Sequence, residues 1–367
     1  MASEKKAEAI EKGFSTPLEN LSKVNTSGLS SGSTLLNLAC SSDPNWAYPK
    51  GSFIYFVGDS SSGKTFHSFT CLAEAVKNPE FKDYKIIFDN AENGALMNIS
   101  QFFGKELEKR LLPPSGNWDD PRNSSTVEEF YYNVDDAFDT GKPIIYLLDS
   151  MDSLTTEDEE EQFDKEKKAS RAGKDTTGSF GTAKAKKNSS NIRVVTNKLR
   201  ETGSILLMIS QTRQNIGFGS QFRPKTRSGG TSLKFYSHLE LWTSVREVIK
   251  TSSKIRGKEW EQGVQSRIKV EKNRLTGRLS TIDIPIYWST GIDETGSMVN
   301  WLVEMNHWKE KAGKIHAKEI LSAEMEVEDL IRYIEETSLL GDLRDLVCKI
   351  WNEIQEECSV KRVSRYD

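Results

Sequence analysis

The sequence predicts an α/β fold in which a mainly parallel β-sheet is flanked by helices, with a small helical region at the C-terminal end. Short continuous apolar runs alternate with segments of helical periodicity through the middle of the chain. That order produces a parallel sheet with crossover helices. One of the apolar runs also leads directly into a glycine-bounded loop and then into a helical segment. The 367 residues allow one large domain or two.

Individual elements follow from local patterns. Buried strands are predicted from short apolar runs at residues 53–57, 84–89, 143–149 and 204–210. Further strands are predicted at residues 233–245, 266–270 and 281–288. Helical patterns occupy residues 66–76 and 96–112, and Thr126 with Glu129 forms a capping box that opens a helix to about residue 140. From residue 317 onward the chain is expected to be helical and acidic.

Two stretches lack this regularity. Residues 155–190 begin with an acidic run and continue with Lys, Gly, Ser and Thr, with almost no large apolar side chains. Residues 212–230 are basic and contain several glycines. Both are interpreted as loops, and the first as a mobile one, because such compositions bury too little apolar surface to pack.

Composition and cysteine spacing exclude other classes. The four cysteines are far apart and form no C-x-x-C pair, so neither a zinc site nor a disulfide framework is indicated. The N-terminal segment lacks the apolar core of a signal peptide, and no apolar run approaches the ~20 residues that cross a bilayer. We therefore expect a cytoplasmic protein without a membrane partner. A net charge of −4 does not by itself indicate nucleic acid.

The glycine-bounded loop has the spacing G-x-x-x-x-G-K-[ST] between a predicted strand and a predicted helix. Its glycines permit backbone conformations that let N–H groups turn inward on a phosphate at the positive end of the helix. The predicted nucleotide-binding residues are Gly58, Asp59, Ser60, Ser61, Ser62, Gly63, Lys64 and Thr65. In this pattern the lysine reaches the β- and γ-phosphates and the threonine hydroxyl binds Mg²⁺. The sequence thus predicts a site for ATP and Mg²⁺.

Polar residues at the ends of the other predicted strands supply the remaining chemistry, since open parallel sheets bind ligands at the carboxyl ends of their strands. Asp149 is predicted to bind Mg²⁺ together with Thr65. Glu92 is the candidate for activating the attacking water, with Asp89 as a nearby competitor. Gln211 is predicted to contact the γ-phosphate and to report its presence to the basic loop that follows.

Five segments, taken together and in order, resemble the RecA-like strand-exchange family. They span residues 24–39, 209–217, 228–237, 267–274 and 291–293. The resemblance implies a RecA-like P-loop ATPase core over residues 24–310, preceded by an arm at residues 1–23 that contacts the next protomer and followed by the acidic helical region 311–367. It also implies a DNA-dependent ATPase that forms helical filaments on single-stranded DNA and exchanges strands with homologous duplex DNA. Lys272 and Arg274 would then act on the ATP of the neighbouring protomer.

The same resemblance makes segments 155–190 and 212–230 the two DNA-binding loops. Basic side chains of the second loop suit phosphates, its aromatic rings suit stacking on bases, and its glycines suit close backbone approach. The predicted DNA-binding residues are Arg213, Phe218, Phe222, Arg223, Lys225, Arg227, Gly229 and Gly230. Lysines of the first loop are opposed by its acidic run.

Two alternatives remain open at this point. A hexameric helicase shares the same core, but such proteins usually carry a sizeable N-terminal domain, and only a short segment precedes the match here. An accessory protein that binds ATP without turnover is the second, although Lys64, Thr65, Asp149 and Gln211 argue against it. Single-strand-binding or loading proteins are expected as further partners.

Overall fold

The computed structural model describes residues 27–94, 97–117, 119–172, 183–214, 225–227, 229–252 and 257–362. Within these ranges the strands are β1 Gly28–Leu29, β2 Tyr48–Pro49, β3 Ser52–Gly58, β4 Lys85–Asp89, β5 Leu111–Leu112, β6 Ser115–Gly116, β7 Pro121–Arg122, β8 Ile144–Leu148, β9 Ile205–Gln214, β10 Lys225–Arg227, β11 Leu239–Ser252, β12 Glu259–Asn273, β13 Thr281–Tyr287, β14 Gly291–Ile292, β15 Glu310–Lys311, β16 Lys314–His316 and β17 Glu324–Glu326. The helices are α1 Thr34–Ser41, α2 Lys64–Lys77, α3 Ile99–Phe103, α4 Lys105–Arg110, α5 Val127–Asp139, α6 Glu157–Arg171, α7 Ala183–Thr202, α8 Thr231–Tyr236, α9 Glu294–Glu304, α10 Val327–Glu336 and α11 Leu340–Glu357.

A large central sheet organises the described chain. Its strand order is β14-β13-β12-β11-β3-β9-β8-β4-β5, and β10 pairs with the extended end of β9. The strands from β11 to β5 are parallel to one another, whereas β12, β13 and β14 extend the sheet in antiparallel fashion. The predicted α/β fold with a mainly parallel sheet is therefore confirmed.

Both faces of the sheet are covered, which explains the continuous apolar runs of its central strands. In β3 the side chains alternate between two cores: Ile54 and Phe56 pack on the face that holds α1, α2 and α9. Phe53, Tyr55 and Val57 pack on the face that holds α5 and α7. All five are fully buried. This alternation is the ordinary period of a β-strand, so one strand anchors both layers of helices.

The helix beginnings follow from their capping residues. Thr126 accepts a hydrogen bond from the Glu129 amide, and the Glu129 carboxylate binds back to the Thr126 amide, so the predicted capping box opens α5. The helix after the glycine-bounded loop, α2, begins after Gly63, whose φ of 91° lies in the left-handed region. A residue with a Cβ would be strained there.

The interpretation of residues 155–190 as a mobile loop is wrong for its described part. Residues 157–171 form helix α6, and α7 begins at residue 183, inside the same segment. No residue of α6 is buried. The helix is stabilised locally instead, by a second capping box at Thr156 and Glu159 and by acids in the first turn that complement the helix dipole. Hydrophobic periodicity could not detect it.

Other predicted boundaries also need correction. Residues 231–236 form the short helix α8, so the strand predicted from residue 233 begins only at Leu239. The strand predicted at 266–270 extends over Glu259–Asn273. In the segment 96–112, the described residues 99–112 form two short helices and a two-residue strand.

The C-terminal region is helical only in its second part. Residues 310–326 include a three-stranded antiparallel sheet of β15, β16 and β17 instead of the predicted helix. Helices α10 and α11 then pack against the core, where the ring centroids of Trp301 and Trp351 lie 5.7 Å apart. Among the described helices, none is long and apolar enough to span a membrane.

Candidate nucleotide site and adjoining loop

The glycine-bounded loop leaves no room for side chains at its two glycines. A Cβ at Gly58 would lie 2.0 Å from the Thr243 hydroxyl, and one at Gly63 would lie 2.4 Å from Ile286. Thr243 of β11 and Ile286 of β13 thus pack directly against the backbone of the loop. The glycine spacing is required by the packing around the loop as well as by the conformation within it.

Two serines fix the loop to the sheet, and sequence reasoning missed this contact. The Ser62 hydroxyl lies 2.6 Å from the Thr243 hydroxyl, and the Ser266 hydroxyl donates to the Ser62 carbonyl at 2.7 Å. Ser266 also lies 3.0 Å from His67 on α2. Because these partners are far apart in the sequence, no local pattern announces them.

Lys64 and Thr65 begin α2 and lie near Asp149, which directly follows β8. The Lys64 ammonium donates to the carbonyls of Gly58 and Asp59 at 2.9 and 2.6 Å. Burial lowers the pKa of Lys64, although the charges of Asp149 and Glu92 act in the opposite direction. The Thr65 hydroxyl donates to the Asp149 carboxylate at 2.7 Å. The two residues predicted to hold Mg²⁺ are therefore in direct contact.

Asp149 and Glu92 are brought together by the ends of β4 and β8. The Glu92 amide donates to the Asp149 carbonyl at 2.9 Å, and the Gln211 side-chain amide donates to the Glu92 carboxylate at 3.2 Å. Burial raises the pKa of Asp149, and the Thr65 hydrogen bond acts in the opposite direction. Three strand ends thus deliver Asp149, Glu92 and Gln211 to one edge of the sheet, as their positions after apolar runs predict.

Asp89 does not compete with Glu92 for the open side of this edge. Its carboxylate is fully buried and accepts hydrogen bonds from the Ser124 amide, the Ser124 hydroxyl and the Tyr146 hydroxyl at 2.9, 2.5 and 2.7 Å. Burial raises its pKa, while those hydrogen bonds act against the rise. Asp89 is a structural residue that joins β4, β8 and the segment before α5. Asp89 and Glu92, which the sequence alone does not distinguish, therefore differ in exposure: Asp89 is buried, and Glu92 is exposed at the sheet edge.

Lys272 and Arg274 lie together at the end of β12, on the same side of the sheet as α8. The Lys272 ammonium donates to the carbonyls of Lys234, Phe235 and Ser237, and the Arg274 guanidinium donates to that of Phe235. Burial and the charge of Arg274 lower the pKa of Lys272 to about 8. Within one chain, these cations cap the C-terminal end of a short helix.

Each described cation of the second predicted DNA loop is paired with a carboxylate of the core. Arg213 lies 3.6 Å from Asp152, Lys225 pairs with Asp59 of the glycine-bounded loop, and Arg227 lies 2.9 Å from the fully buried Glu240. These pairings were not predicted. Phe218, Phe222 and Arg223 lie outside the described residues, so their predicted roles stay predictions.

The end of this loop is held against the first one. Gly229 and Gly230 have φ values of 79° and 89°, and a Cβ on Gly230 would lie 2.8 Å from Ala185 of α7. Asn188, buried on α7, donates to the Gly229 carbonyl at 3.1 Å and accepts from the Tyr131 hydroxyl at 2.9 Å. The two glycines therefore serve close packing between the predicted DNA loops.

The fold and the glycine-bounded loop define the class of P-loop α/β nucleotide-binding proteins. The sequence pattern of the RecA N-terminal domain matches residues 2–293, which is most of the chain. The chain belongs to the RecA family. Among its relatives, Protein RecA of Rickettsia bellii is 27% identical over 301 residues, which cover 80% of this chain and 76% of the relative.

Two other relatives show similar sequence identities to this chain. Protein RecA of Acholeplasma laidlawii is 26% identical over 261 residues, covering 71% of this chain and 69% of the relative. Protein RecA of Rickettsia massiliae is 28% identical over 264 residues, covering 70% and 66%. Members of the family are ATP- and DNA-binding proteins of recombination and repair and use ATP with magnesium. At the level of the family, this chain has a recombination and repair role.

Proposed function

We propose that this protein is a DNA-dependent ATPase that forms filaments on single-stranded DNA and catalyses homologous pairing and strand exchange. The observation that carries the proposal is the convergence of Lys64, Thr65, Asp149, Glu92 and Gln211 at one sheet edge. Gln211 lies on β9, the strand that runs directly into the second predicted DNA loop. A nucleotide site and a DNA loop thus share one strand.

Lys64 and Thr65 would bind the phosphates and the metal ion. The glycine-bounded loop at the start of α2, and the paired oxygens of Thr65 and Asp149, suit a phosphate chain with Mg²⁺. When bound, the ion supplies charge neutralisation for the phosphates. Mg²⁺ at such sites is held by one or two protein oxygens together with the phosphates of the nucleotide.

Glu92 would act as the base that orients and deprotonates the attacking water. Its carboxylate is exposed at the sheet edge and accepts a hydrogen bond from Gln211 at 3.2 Å. A hydrogen-bond donor on the base fixes its direction, and a change at the γ-phosphate would be transmitted to Gln211 through the same contact. Gln211 is thus proposed as the link between hydrolysis and the loop.

Lys272 and Arg274 would complete the site of a neighbouring protomer in the filament. Their ammonium and guanidinium groups are adjacent, and half-buried Lys272 is held by three carbonyls. Cations placed on a phosphoryl group stabilise the charge that develops during transfer. Lys272→Ala is expected to impair DNA-stimulated hydrolysis while an isolated protomer still binds nucleotide; normal DNA-stimulated turnover by this variant would contradict the proposed interface.

Loop 212–230 is proposed to bind single-stranded DNA through Arg213, Lys225 and Arg227, with Arg223, Phe218 and Phe222 beyond the described residues as further contacts. The loop is basic and adjoins the nucleotide site. Segment 155–190, the first predicted DNA loop, is proposed as a further DNA contact, with Lys184 near the same edge because it donates to the carbonyls of Met151 and Asp152 at 3.4 Å. Arm 1–23 and region 311–367 are proposed as a protomer contact and an acidic accessory region.

The proposal is tested by strand exchange between circular single-stranded DNA and a homologous linear duplex, in the presence of ATP and Mg²⁺. Joint molecules that depend on homology, together with helical filaments in negative-stain micrographs, are expected. Closed rings that unwind a duplex without homology would indicate a helicase instead. Failure to form joint molecules while binding ATP would favour the accessory role. The variant Lys64→Ala controls for pairing that does not require the nucleotide site.

A further inference from the structure

The second predicted DNA loop is held to the core through three ion pairs that differ in exposure. In the pair of Arg227 with Glu240 the two side chains are 15% and 0% exposed, and in the pair of Arg213 with Asp152 they are 60% and 12% exposed. In the pair of Lys225 with Asp59 they are 51% and 34% exposed. An exposed pair is easily exchanged because water screens it, whereas a broken buried pair leaves a desolvated charge behind. Among these three pairs, that of Lys225 with Asp59 has the most exposed carboxylate, so Lys225 can leave its partner without stranding a desolvated charge.

Asp59 is unusual because it belongs to the glycine-bounded loop at residues 58–65, the proposed phosphate loop. Its carboxylate accepts hydrogen bonds from the Lys225 ammonium and the Thr212 hydroxyl, through different oxygens. Its backbone carbonyl accepts from the Lys64 ammonium at 2.6 Å. One residue thus touches the cation proposed for ATP and a cation proposed for DNA.

We propose that Asp59 is a positioning residue that holds Lys225 against the phosphate loop until a DNA phosphate displaces its carboxylate. This inference rests on the proposed function, since it requires loop 212–230 to bind DNA. A DNA phosphodiester offers Lys225 the same kind of anionic oxygen that Asp59 offers, so the two compete directly. The carboxylate therefore weakens DNA binding by the free protein and ties the state of the loop to the nucleotide site.

The ionised form of Asp59 is the form that competes. Partial burial favours the protonated carboxyl, but the hydrogen bonds from Lys225 and Thr212 outweigh it and lower the pKa of Asp59. The carboxylate is thus charged at neutral pH. Coupling through it is reciprocal: if DNA binding frees Asp59 from Lys225, then a nucleotide that alters the environment of Asp59 changes the affinity for DNA by the same factor.

The test compares the wild type with Asp59→Asn, Lys225→Gln and the double variant, all without nucleotide. Binding of a fluorescein-labelled oligo-dT is measured by anisotropy at several salt concentrations. Asp59→Asn should bind more tightly by about two- to fivefold at low salt, the range set by an exposed ion pair. Lys225→Gln should bind more weakly, and the gain from Asp59→Asn should vanish in the double variant because the proposed competition acts through Lys225.

A matched control separates this contact from a general change in net charge. Asp135 pairs with Lys198 between α5 and α7, with side chains 44% and 34% exposed, away from the phosphate loop. Asp135→Asn removes one negative charge from a similar pair and should not reproduce the dependence on Lys225. Thermal unfolding of each variant checks that it folds.

Three results would overturn the inference. If Asp59→Asn binds no more tightly than the wild type while Lys225→Gln binds more weakly, the loop binds DNA but Asp59 does not restrain it. If the gain persists in the double variant, it does not act through Lys225. If the wild type itself fails to bind oligo-dT with or without ATP, the proposed function fails first and the inference fails with it.

A second readout follows from the position of Asp59 in the phosphate loop. The factor by which a non-hydrolysable ATP analogue changes oligo-dT affinity should be closer to one in Asp59→Asn than in the wild type. An unchanged factor would contradict the coupling between the two sites. A merely structural role for Asp59 would lower the unfolding temperature without changing this ratio.

Discussion

The sheet edge proposed to bind nucleotide and the adjoining loop proposed to bind DNA are held in place by different kinds of contact. Lys64, Thr65 and Asp149 lie at the ends of elements whose neighbours are buried on both faces of the sheet. Lys225 is held instead by an ion pair that is half exposed. Packing positions the first group, and exchangeable charge positions the second. Burial against neighbouring elements therefore holds the proposed nucleotide site, whereas an exchangeable ion pair holds Lys225 of the proposed DNA loop.

This difference gives each region its own sensitivity. A substitution at the nucleotide edge changes chemistry performed by an ordered group, so its effect is read in turnover. A substitution in the loop changes a competition between carboxylate and phosphate, so its effect is read in affinity and in salt dependence. Substitutions in the two regions should therefore differ both in the quantity that changes and in the size of the change.

Glu92→Gln should give the largest effect. Loss of a general base lowers turnover by about 10²–10⁴-fold, and we expect ATP binding to remain because Lys64 and Thr65 are unchanged. Single-turnover hydrolysis and equilibrium binding of a fluorescent ATP analogue measure the two quantities. Asp89→Asn is the matched control: it should lower stability, since it disturbs hydrogen bonds to Ser124 and Tyr146. Normal turnover by Glu92→Gln would remove it from the proposed mechanism.

Lys64→Ala should reduce turnover by about 10²–10³-fold, the usual loss of one charge-stabilising donor. The variant also removes the cation that offsets Asp149 and Glu92 at this edge. Steady-state hydrolysis is the measurement, with Lys77→Ala, an exposed lysine at the other end of α2, as the control. Unchanged turnover in Lys64→Ala would mean that the phosphate loop is not the catalytic site.

The two ion pairs of the loop should differ sharply in stability. Arg227→Ala removes the nearer of two cations from the buried Glu240 carboxylate, which keeps Lys234 at 3.8 Å and the Trp242 indole N–H, so about 1–3 kcal/mol of unfolding free energy should be lost. Lys225→Ala breaks an exposed pair and should cost about 0–1 kcal/mol. Urea unfolding followed by far-UV circular dichroism measures both. Equal losses would show that burial does not separate an anchoring cation from an exchangeable one.

Glu294 provides a smaller test: the residue is partly exposed, but its carboxyl oxygen Oε2 is buried. Burial raises its pKa from 4.5 to about 7, while its hydrogen bond from the Thr34 amide acts against the rise. The folded state therefore holds the proton more tightly, and this stabilisation is fully present below pH 4.5 and is lost as the pH rises through about 7.

Between these pH values the wild type should lose on the order of 2 kcal/mol relative to Glu294→Gln, which keeps an acceptor for Thr34. Thermal or urea unfolding across the pH range measures the difference, and Glu108→Gln controls for loss of one surface carboxylate. Asp59 should show the opposite sign: because its pKa is lowered, its contribution is present above pH 3.8 and is lost as the pH falls. A flat difference for Glu294 would contradict its burial.

The sequence predicts the part of the fold that burial controls. Strands β3, β4, β8 and β9 were predicted because each is a continuous apolar run covered on both faces, and α5 because Thr126 and Glu129 form a capping box. Their order also brings Asp149, Glu92 and Gln211 to one edge. These features depend on residues close together in the chain.

The features that the sequence could not predict either involve no buried residues or depend on contacts between residues far apart in the chain. Helix α6 has no buried residue, so its charged sequence looked like a loop. Residues 233–236 are largely apolar and were assigned to a strand, although they form α8. The partner of Lys225 is 166 residues away in the phosphate loop. Neither periodicity nor composition reports a contact of that kind.

ATP hydrolysis measured with and without single-stranded DNA tests the central claim most directly. Because β9 carries Gln211 into the loop that pairs with Asp59, the account predicts that single-stranded DNA strongly stimulates turnover by the wild type. It also predicts that the stimulation is lost in Gln211→Ala while basal binding of ATP remains. Turnover that is the same with and without DNA would contradict the proposal that one sheet edge joins the two sites.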